Sequence, residues 1–420
     1  MLKRLFALSV VLLGFGAHLF AQEEAEQMIA LEDAQASDTT LISATSLAES
    51  INPILARAAA DVEAARGRAY QAGLYPNPVA QGGATQLAGN ESQYYFGLSQ
   101  EIVTKHKLQL NQSAATREVY QAELHFVQTR FALLTAVRQT FFLALASQRR
   151  VDVLTKLLDI TRNSATAAER MRAAGETSKA DTLLFEIELE KAEVALENAQ
   201  AQLAAARRQL AAVIGVREMN IGRIVGNLRI SLDEAMAQIL IDGYVPYNAQ
   251  VQVAEQEVER SRILLQRAQV EPFPNITVYG GYQNQLLGVR DMGLLNASIP
   301  IPVWNRNQGN IAAAHAHIHR ATADVGQVQN QIARMMAEGI GRYKVADQQA
   351  RRFEEKIVPK AREGVTIIQE AFANGQFDSF RLLQSQRGLV ESNLGYIAAL
   401  ESRWMAAAEL AGIAQLETFP

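Results

Sequence analysis

Three histidines offer the most concentrated chemistry in this 420-residue chain. His315, His317 and His319 stand at every second position, with Ala316 and Ile318 between them. On a helix His315 and His319 share a face while His317 points elsewhere, and two imidazoles at i, i+4 can hold a transition metal. No Asp or Glu lies within a turn to complete such a site, so the plainer alternative is three solvated helix residues. Nothing else resembles reactive machinery. There is no G-x-x-x-x-G-K-[ST] phosphate loop, no H-E-x-x-H and no G-x-S-x-G elbow. The absence of cysteine excludes a disulfide framework, a thiol nucleophile, a Cys-ligated metal and a lipidated N-terminal cysteine. A net charge of −4 without a long Lys/Arg run gives no footprint for nucleic acid. Neither catalysis nor a cofactor is expected.

The elements that would position these residues are announced by proline. The ten prolines fall at 53, 76, 78, 246, 272, 274, 300, 302, 359 and 420. Proline breaks helix interiors, so the proline-free stretch from 79 to 245, and that from 303 to 419 with Pro359 as a break, can hold long helices. Residues 1–21 read as a secretory signal peptide, with Lys3 and Arg4 ahead of an apolar run and cleavage after Ala21. No later stretch approaches the ~20 apolar residues of a transmembrane helix.

The remainder is one unit written twice, 22–220 and 221–420. Tyr75-Pro76-Asn77 and Gly82-Gly83 match Phe273-Pro274-Asn275 and Gly280-Gly281 at a spacing of 198. Ser99, Ile102 and Asn111 match Ser298, Ile301 and Asn310 at 199; Gly175 matches Gly375 at 200; Val62 and Arg66 match Val258 and Arg262 at 196. Each unit predicts a helix (about 45–72 and 232–270), two short strands (near 78–88 and 92–102; near 275–286 and 292–301) and a long helical hairpin turning at Gly175 or Gly375. Tyr94, Phe96 and Leu98 alternate with Gln93, Tyr95, Gly97 and Ser99, and Ile276, Val278, Gly280 and Tyr282 alternate with Thr277, Tyr279, Gly281 and Gln283, the period of strands. Leu189, Leu196, Leu203 and Leu210 recur every seven residues, each followed at three by Ala192, Ala199, Ala206 and Val213. Leu383, Val390, Ile397 and Trp404 repeat the period, as in a left-handed coiled coil.

Four strands of about ten residues cannot close a barrel, and an open sheet leaves raw edges. Strands from several exported chains can close together into an outer-membrane barrel, for which about eight is the minimum. A small soluble sheet capping a coiled coil is the alternative. Tyr94, Tyr95, Tyr279 and Tyr282 could correspondingly form interfacial girdles or stack within a soluble sheet.

The combined order resembles the TolC-like outer membrane efflux family. Asn52-Pro53, Leu74-Tyr75-Pro76-Asn77-Pro78 and the two hairpin glycines carry the resemblance. The segment from Ile299 to Ala314, IPIPVWNRNQGNIAAA, is similar to the strand-to-helix junction of the heavy-metal (CzcC-like) branch. The resemblance implies a mainly α fold with a small β part, a homotrimer whose twelve strands form a barrel in outer membrane lipid, and a periplasmic α-helical barrel below it. It further implies a passive exit duct of a tripartite efflux system, joined to a periplasmic adaptor and a proton-driven inner-membrane pump, with heavy-metal cations as cargo. Multidrug efflux or type I secretion is the alternative within the class; a pore-less periplasmic coiled-coil scaffold is the alternative outside it. By the same resemblance, Ala174, Gly175, Glu176, Thr177, Asn374, Gly375, Gln376 and Phe377 would be adaptor-contacting tips. Acidic residues soon after the tip glycine narrow the entrance in the family. Asp181 follows Gly175 by six and fits; Arg381 and Gln384, six and nine after Gly375, do not, and Asp378 is out of register. The missing lipidated cysteine also departs from several metal-branch relatives. Asp181 and Arg381 could equally be ordinary flank charges of a coiled coil.

Overall fold

Capping chemistry sets the first helix boundaries. In the computed structural model, which describes residues 38–87, 92–175, 177–217, 219–229, 245–286, 288, 290–373 and 379–417, Thr40 caps α1 (Leu41–Ile51). The Thr40 hydroxyl accepts from the Ser43 N–H, and the Ser43 hydroxyl accepts from the Thr40 N–H. Asn52 turns extended and ends α1, and Pro53 opens α2 (Pro53–Ala72), where its missing N–H costs nothing. The single helix expected over about 45–72 is therefore two.

The first proline-free stretch holds α3 (Lys107–Ala173), unbroken over 67 residues, and α4 (Lys179–Ile214). Asn52 is buried and serves two helix ends at once. Its Nδ2 donates to the carbonyls of Val213 (2.8 Å) and Ile214 (3.2 Å) at the close of α4, and its Oδ1 accepts from the Ile54 N–H (2.9 Å) at the start of α2.

In the second repeat, α5 (Ala249–Val270) begins only after a 3-10 turn, Val245–Tyr247, built around Pro246, and Asn248 caps it by accepting from the Gln250 N–H. The helix expected from about 232 thus starts later in its described part, and 230–244 lie outside the described residues. Three further helices follow: α6 (Gln308–Arg352), α7 (Val358–Ala373) and α8 (Ser379–Ile413). The break expected at Pro359 takes the form of a π turn, Phe353–Ile357, between α6 and α7. Widening the turn accommodates a residue that lacks an N–H without stopping the helix.

Two compact units result, and each draws on both repeats. One comprises Met1–Ala56, Thr129–Tyr244 and Ile332–Pro420; the other comprises Arg57–Gln128 and Val245–Gln331. The first is helical. Trp404 stacks on Phe142 at 4.1 Å between centroids and donates from Nε1 to the Leu228 carbonyl, which also accepts from Arg403. Gln148 clamps the connecting segment, accepting from the Ile224 N–H and donating to its carbonyl. Along α4 the small seam residues Ala192, Ala199 and Ala206 are buried, whereas Leu189, Leu196 and Leu203 are half-buried and only Leu210 is fully enclosed. Small residues occupy the line of closest backbone approach.

The second unit carries β1 (Val79–Thr85), β2 (Gln93–Ile102), β3 (Ile276–Gln285) and β4 (Asp291–Ser298). They form one antiparallel sheet in the order β1-β2-β3-β4. Val79 faces Ser99 in the first hairpin and Thr277 faces Ser298 in the second. Adding the sequence offsets of 198 and 199 to the first pair gives the second. No described helix is long and apolar enough to cross a membrane.

Candidate functional site

Register sorts the sheet into two unlike faces, because side chains alternate along each strand and directly paired residues share a side. One face carries Ala80, Gly82 and Ala84, then Tyr94, Phe96, Leu98 and Ile102, then Ile276, Val278 and Tyr282, then Leu295 and Ala297, with the polar Gln100, Asn284 and Asp291 toward the strand ends. The chain leaves this apolar face uncovered: Phe96 is 62% exposed, Leu98 54% and Leu295 81%. A soluble sheet would pack such a face against its own helices. The other face carries Gln81, Thr85, Gln93, Ser99, Glu101, Thr277, Gln283, Gln285, Asn296 and Ser298, among which Val79, Met292 and Leu294 are the apolar members. Cross-strand hydrogen bonds tie it, from Gln81 Nε2 to Ser99 Oγ (3.1 Å) and from Gln283 Nε2 to Gln93 Oε1 (2.8 Å).

Tyrosine rings on the polar face explain three glycines. A Cβ on Gly83 would come within 2.6 Å of the Tyr95 hydroxyl, and one on Gly97 or Gly281 would lie 2.6 or 2.5 Å from that of Tyr279. Tyr95 and Tyr279 therefore lie over glycines and face away from the apolar side. Of the four tyrosines considered for an interfacial girdle, only Tyr94 and Tyr282 stand on the face that could meet lipid.

The hairpin ends belong to the helical unit. Ala174 and Gly175 close the first turn, with Gly175 at φ 78, a left-handed geometry suited to glycine. Asp181 lies in the first turn of α4. Ser178 accepts from its N–H, and the Ser178 and Thr177 hydroxyls donate to its carboxylate. Arg381 and Gln384 lie exposed in the opening turns of α8. Glu176, Asn374, Gly375, Gln376, Phe377 and Asp378 lie outside the described residues, as do residues 1–21. His315, His317 and His319 are exposed on α6, and no group of three or more His, Asp or Glu suited to a metal occurs among the described residues.

Two interactions escaped the sequence reading. Arg387 on α8 donates to Glu188 on α4 at 2.5 Å, and Lys191 donates to the same carboxylate at 2.9 Å. Burial pushes the Glu188 carboxyl up, but the hydrogen bonds and charges of Arg387 and Lys191 outweigh it and hold the group below its ordinary value. Nothing distinguishes Glu188 in the Glu-rich stretch 186–197. The second is Lys107, buried where β2 gives way to α3, whose Nζ donates to the Phe273 carbonyl at 2.6 Å and Asn275 Oδ1 at 3.1 Å.

The family model described as "Outer membrane efflux protein" matches residues 44–216 and 246–414. The chain belongs to the outer membrane efflux protein family. This efflux protein is 26% identical over 374 residues to the cobalt-zinc-cadmium resistance protein CzcC of Cupriavidus metallidurans, spanning 89% of each chain. Among solved structures it is similar to CusC (TM-score 0.74, 16% identity, covering 91% of this chain and 93% of that one). It is also similar to the outer membrane protein VceC of Vibrio cholerae (TM-score 0.73, 17% identity, 89% and 95%). The efflux protein is thus an outer membrane channel component of mainly α fold, and the pore-less scaffold alternative falls. An uncovered apolar sheet face is what a membrane-spanning sheet requires.

Proposed function

We propose that this channel is the passive outer-membrane exit duct of a tripartite system that expels divalent transition-metal cations. The likeness to CzcC over 89% of both chains carries the cargo assignment. Three copies would supply twelve strands to the barrel. A periplasmic adaptor would grip the hairpin ends at Ala174, Gly175, Glu176 and Thr177 and at Asn374, Gly375, Gln376 and Phe377, and a proton-driven inner-membrane pump would supply the energy. The chain itself performs no catalysis in this reading.

The entrance would be framed by Asp181, Asp378, Arg381 and Gln384, whose mixed charge sets ion preference as rings of charge do in channels. Asp181 stands at a helix N-terminus, where a carboxylate is favoured. The pair His315 and His319 would contribute at most a transient contact for a passing cation.

Deleting the chain from its host and measuring tolerance to cobalt, zinc and cadmium tests the cargo. Restoration of metal tolerance by the intact chain, with drug tolerance and polypeptide secretion unaffected, is expected. A strain that loses drug tolerance or secretion while keeping metal tolerance would overturn the metal reading in favour of those cargoes. For the entrance, Asp181→Asn should alter the conductance and selectivity of reconstituted channels. Unchanged values would remove Asp181 from the constriction. His315→Ala with His319→Ala should leave a small tolerance defect if the imidazoles touch cargo, and none otherwise.

A further inference from the structure

Charge is almost absent from the sheet. Across β1, β2, β3 and β4 the charged residues are Glu101 and Asp291, and no lysine or arginine occurs in any of these strands. Register sends the two carboxylates to opposite faces. Asp291 opens β4 opposite Asn284, on the largely apolar face, where the Tyr282 hydroxyl and Asn284 Nδ2 donate to it. Glu101 stands on the polar face opposite Thr277, which in turn faces Ser298. It is the one charged side chain among the strand residues of that face. Its carboxylate is partly exposed and accepts from Asn275 Nδ2 at 2.7 Å. The cations that follow β2 are engaged elsewhere. Lys107 gives its Nζ to the Phe273 carbonyl and Asn275 Oδ1 and stands 3.8 Å from Glu271. The Lys105 ammonium lies 4.6 Å from the centroid of the Phe273 ring. Asn275 thus sits between Glu101 and Lys107, donating to the one and accepting from the other.

We propose that Glu101 determines ion preference at the helix-proximal end of the barrel, where one carboxylate from each copy enriches cations and turns back anions. The inference rests on the channel reading, in which the polar face lines water and three copies complete the barrel. It goes further by placing a charge filter in the barrel itself, apart from the hairpin ends that carry Asp181. Glu101 is the penultimate residue of β2, and α3 opens six residues later at Lys107, so the filter lies where strand gives way to helix. Twelve strands about 4.8 Å apart and tilted by about 40° enclose a wall of about 12 Å radius. Side chains reaching inward by about 5 Å bring the carboxylates to about 7 Å from the axis, within the Debye length of about 8 Å at physiological salt. Their field therefore spans the lumen. Three such charges, screened in water, raise the axial concentration of a monovalent cation about threefold and of a divalent cation about tenfold. The remaining residues of the face are amides, hydroxyls and glycines with Val79, Met292 and Leu294, none of which opposes that field.

The cysteine-free chain allows the charge at this position to be rewritten in place. Glu101→Gln keeps an acceptor for Asn275 and removes only the charge. In reconstituted channels at about 0.15 M salt it should lower the cation-to-anion permeability ratio, read from the reversal potential across a salt gradient, by about threefold or more. The difference from wild type should all but vanish at about 1 M salt, where the Debye length falls to about 3 Å. It should persist in an Asp181→Asn background, which removes the carboxylate at the hairpin end. Glu101→Cys tests the lumen placement independently. Reaction with a sulfonated methanethiosulfonate should restore cation preference, and reaction with a trimethylammonium one should reverse it toward anions. The same reagents on Leu98→Cys, on the opposite face, should leave the ratio as it was. Conducting Glu101→Gln channels with an unchanged ratio, or reagents that act through Leu98→Cys and not through Glu101→Cys, overturn the assignment alone. Outer-membrane protein that never conducts overturns the duct reading, and the assignment with it.

Discussion

Arg387 and Glu188 join α8 to α4 through a 2.5 Å hydrogen-bonded ion pair in which the carboxylate is only 23% exposed. The Glu188 carboxyl is held below its ordinary value of 4.5. A depressed folded value means that the unfolded chain binds the proton more readily. The stabilisation is present above the unfolded pKa and is lost as pH falls through the folded one. Glu188→Gln should therefore cost about 1 kcal/mol near neutral pH, in the range of partly exposed pairs. It should also flatten the fall in melting temperature between neutral and acidic pH. Circular dichroism melts of purified wild type and variant check this; superimposable pH dependences would sink it.

Asn52 predicts a sharper loss than its surface-like residue type suggests. Replacing it with Ala strands the Val213 and Ile214 carbonyls and the Ile54 N–H together, at about 1–3 kcal/mol for each buried group left unsatisfied. Gly215→Ala should harm the same joint from the other side. Its φ of 115 disfavours a side chain, and a Cβ would stand 3.2 Å from Asn52 Cα. Denaturant titrations should place both variants below wild type, and a neutral Asn52→Ala would show that water replaces the amide.

What sequence could and could not say divides along this line. Period-2 alternation located the four strands within a few residues and already separated Phe96 and Leu98 from Gln93 and Ser99, because face is a local property of a strand. The seven-residue period found the α4 seam for the same reason. Asn52 reads in the sequence only as part of an Asn-Pro helix start, since its partners at 213 and 214 lie more than 160 residues away. Asp181 was legible as a carboxylate six residues after Gly175, but its engagement by Ser178 and Thr177 depends on where the helix begins. Pro359 announced a break, yet whether a helix stops or widens there depends on neighbours such as Gly395, against which the Phe353 ring packs closely.

The buried pair beside Trp404 offers a contrast between two adjacent residues. Arg403 meets Asp347 at 3.1 Å with both side chains almost wholly enclosed. Arg403→Gln should cost about 3–5 kcal/mol, the scale for breaking a buried pair by removing one partner. Trp404→Phe preserves the stack on Phe142, and Arg403 still donates to the Leu228 carbonyl. It should cost about 2 kcal/mol, from one lost hydrogen bond and the small void left by the shorter ring. Equal losses in denaturant titrations would refute this ordering.

The two faces of the sheet make the most discriminating prediction, because one chemical change should have opposite consequences on neighbouring strands. Phe96→Lys places an ammonium on the exposed apolar face; if that face meets lipid, the cost is about 2–4 kcal/mol near the bilayer midplane. Gln283→Lys places the same group on the polar face, beside Gln93, where it can stay hydrated. Insertion into vesicles, followed by protection from added protease, should fail or slow markedly for Phe96→Lys and proceed as in wild type for Gln283→Lys. The inserted Gln283→Lys channel should in turn shift toward anions, since a cation lining a water-filled barrel raises the barrier to cations. If Phe96→Lys inserts normally while Gln283→Lys does not, the faces are reversed and the apolar side lines the interior.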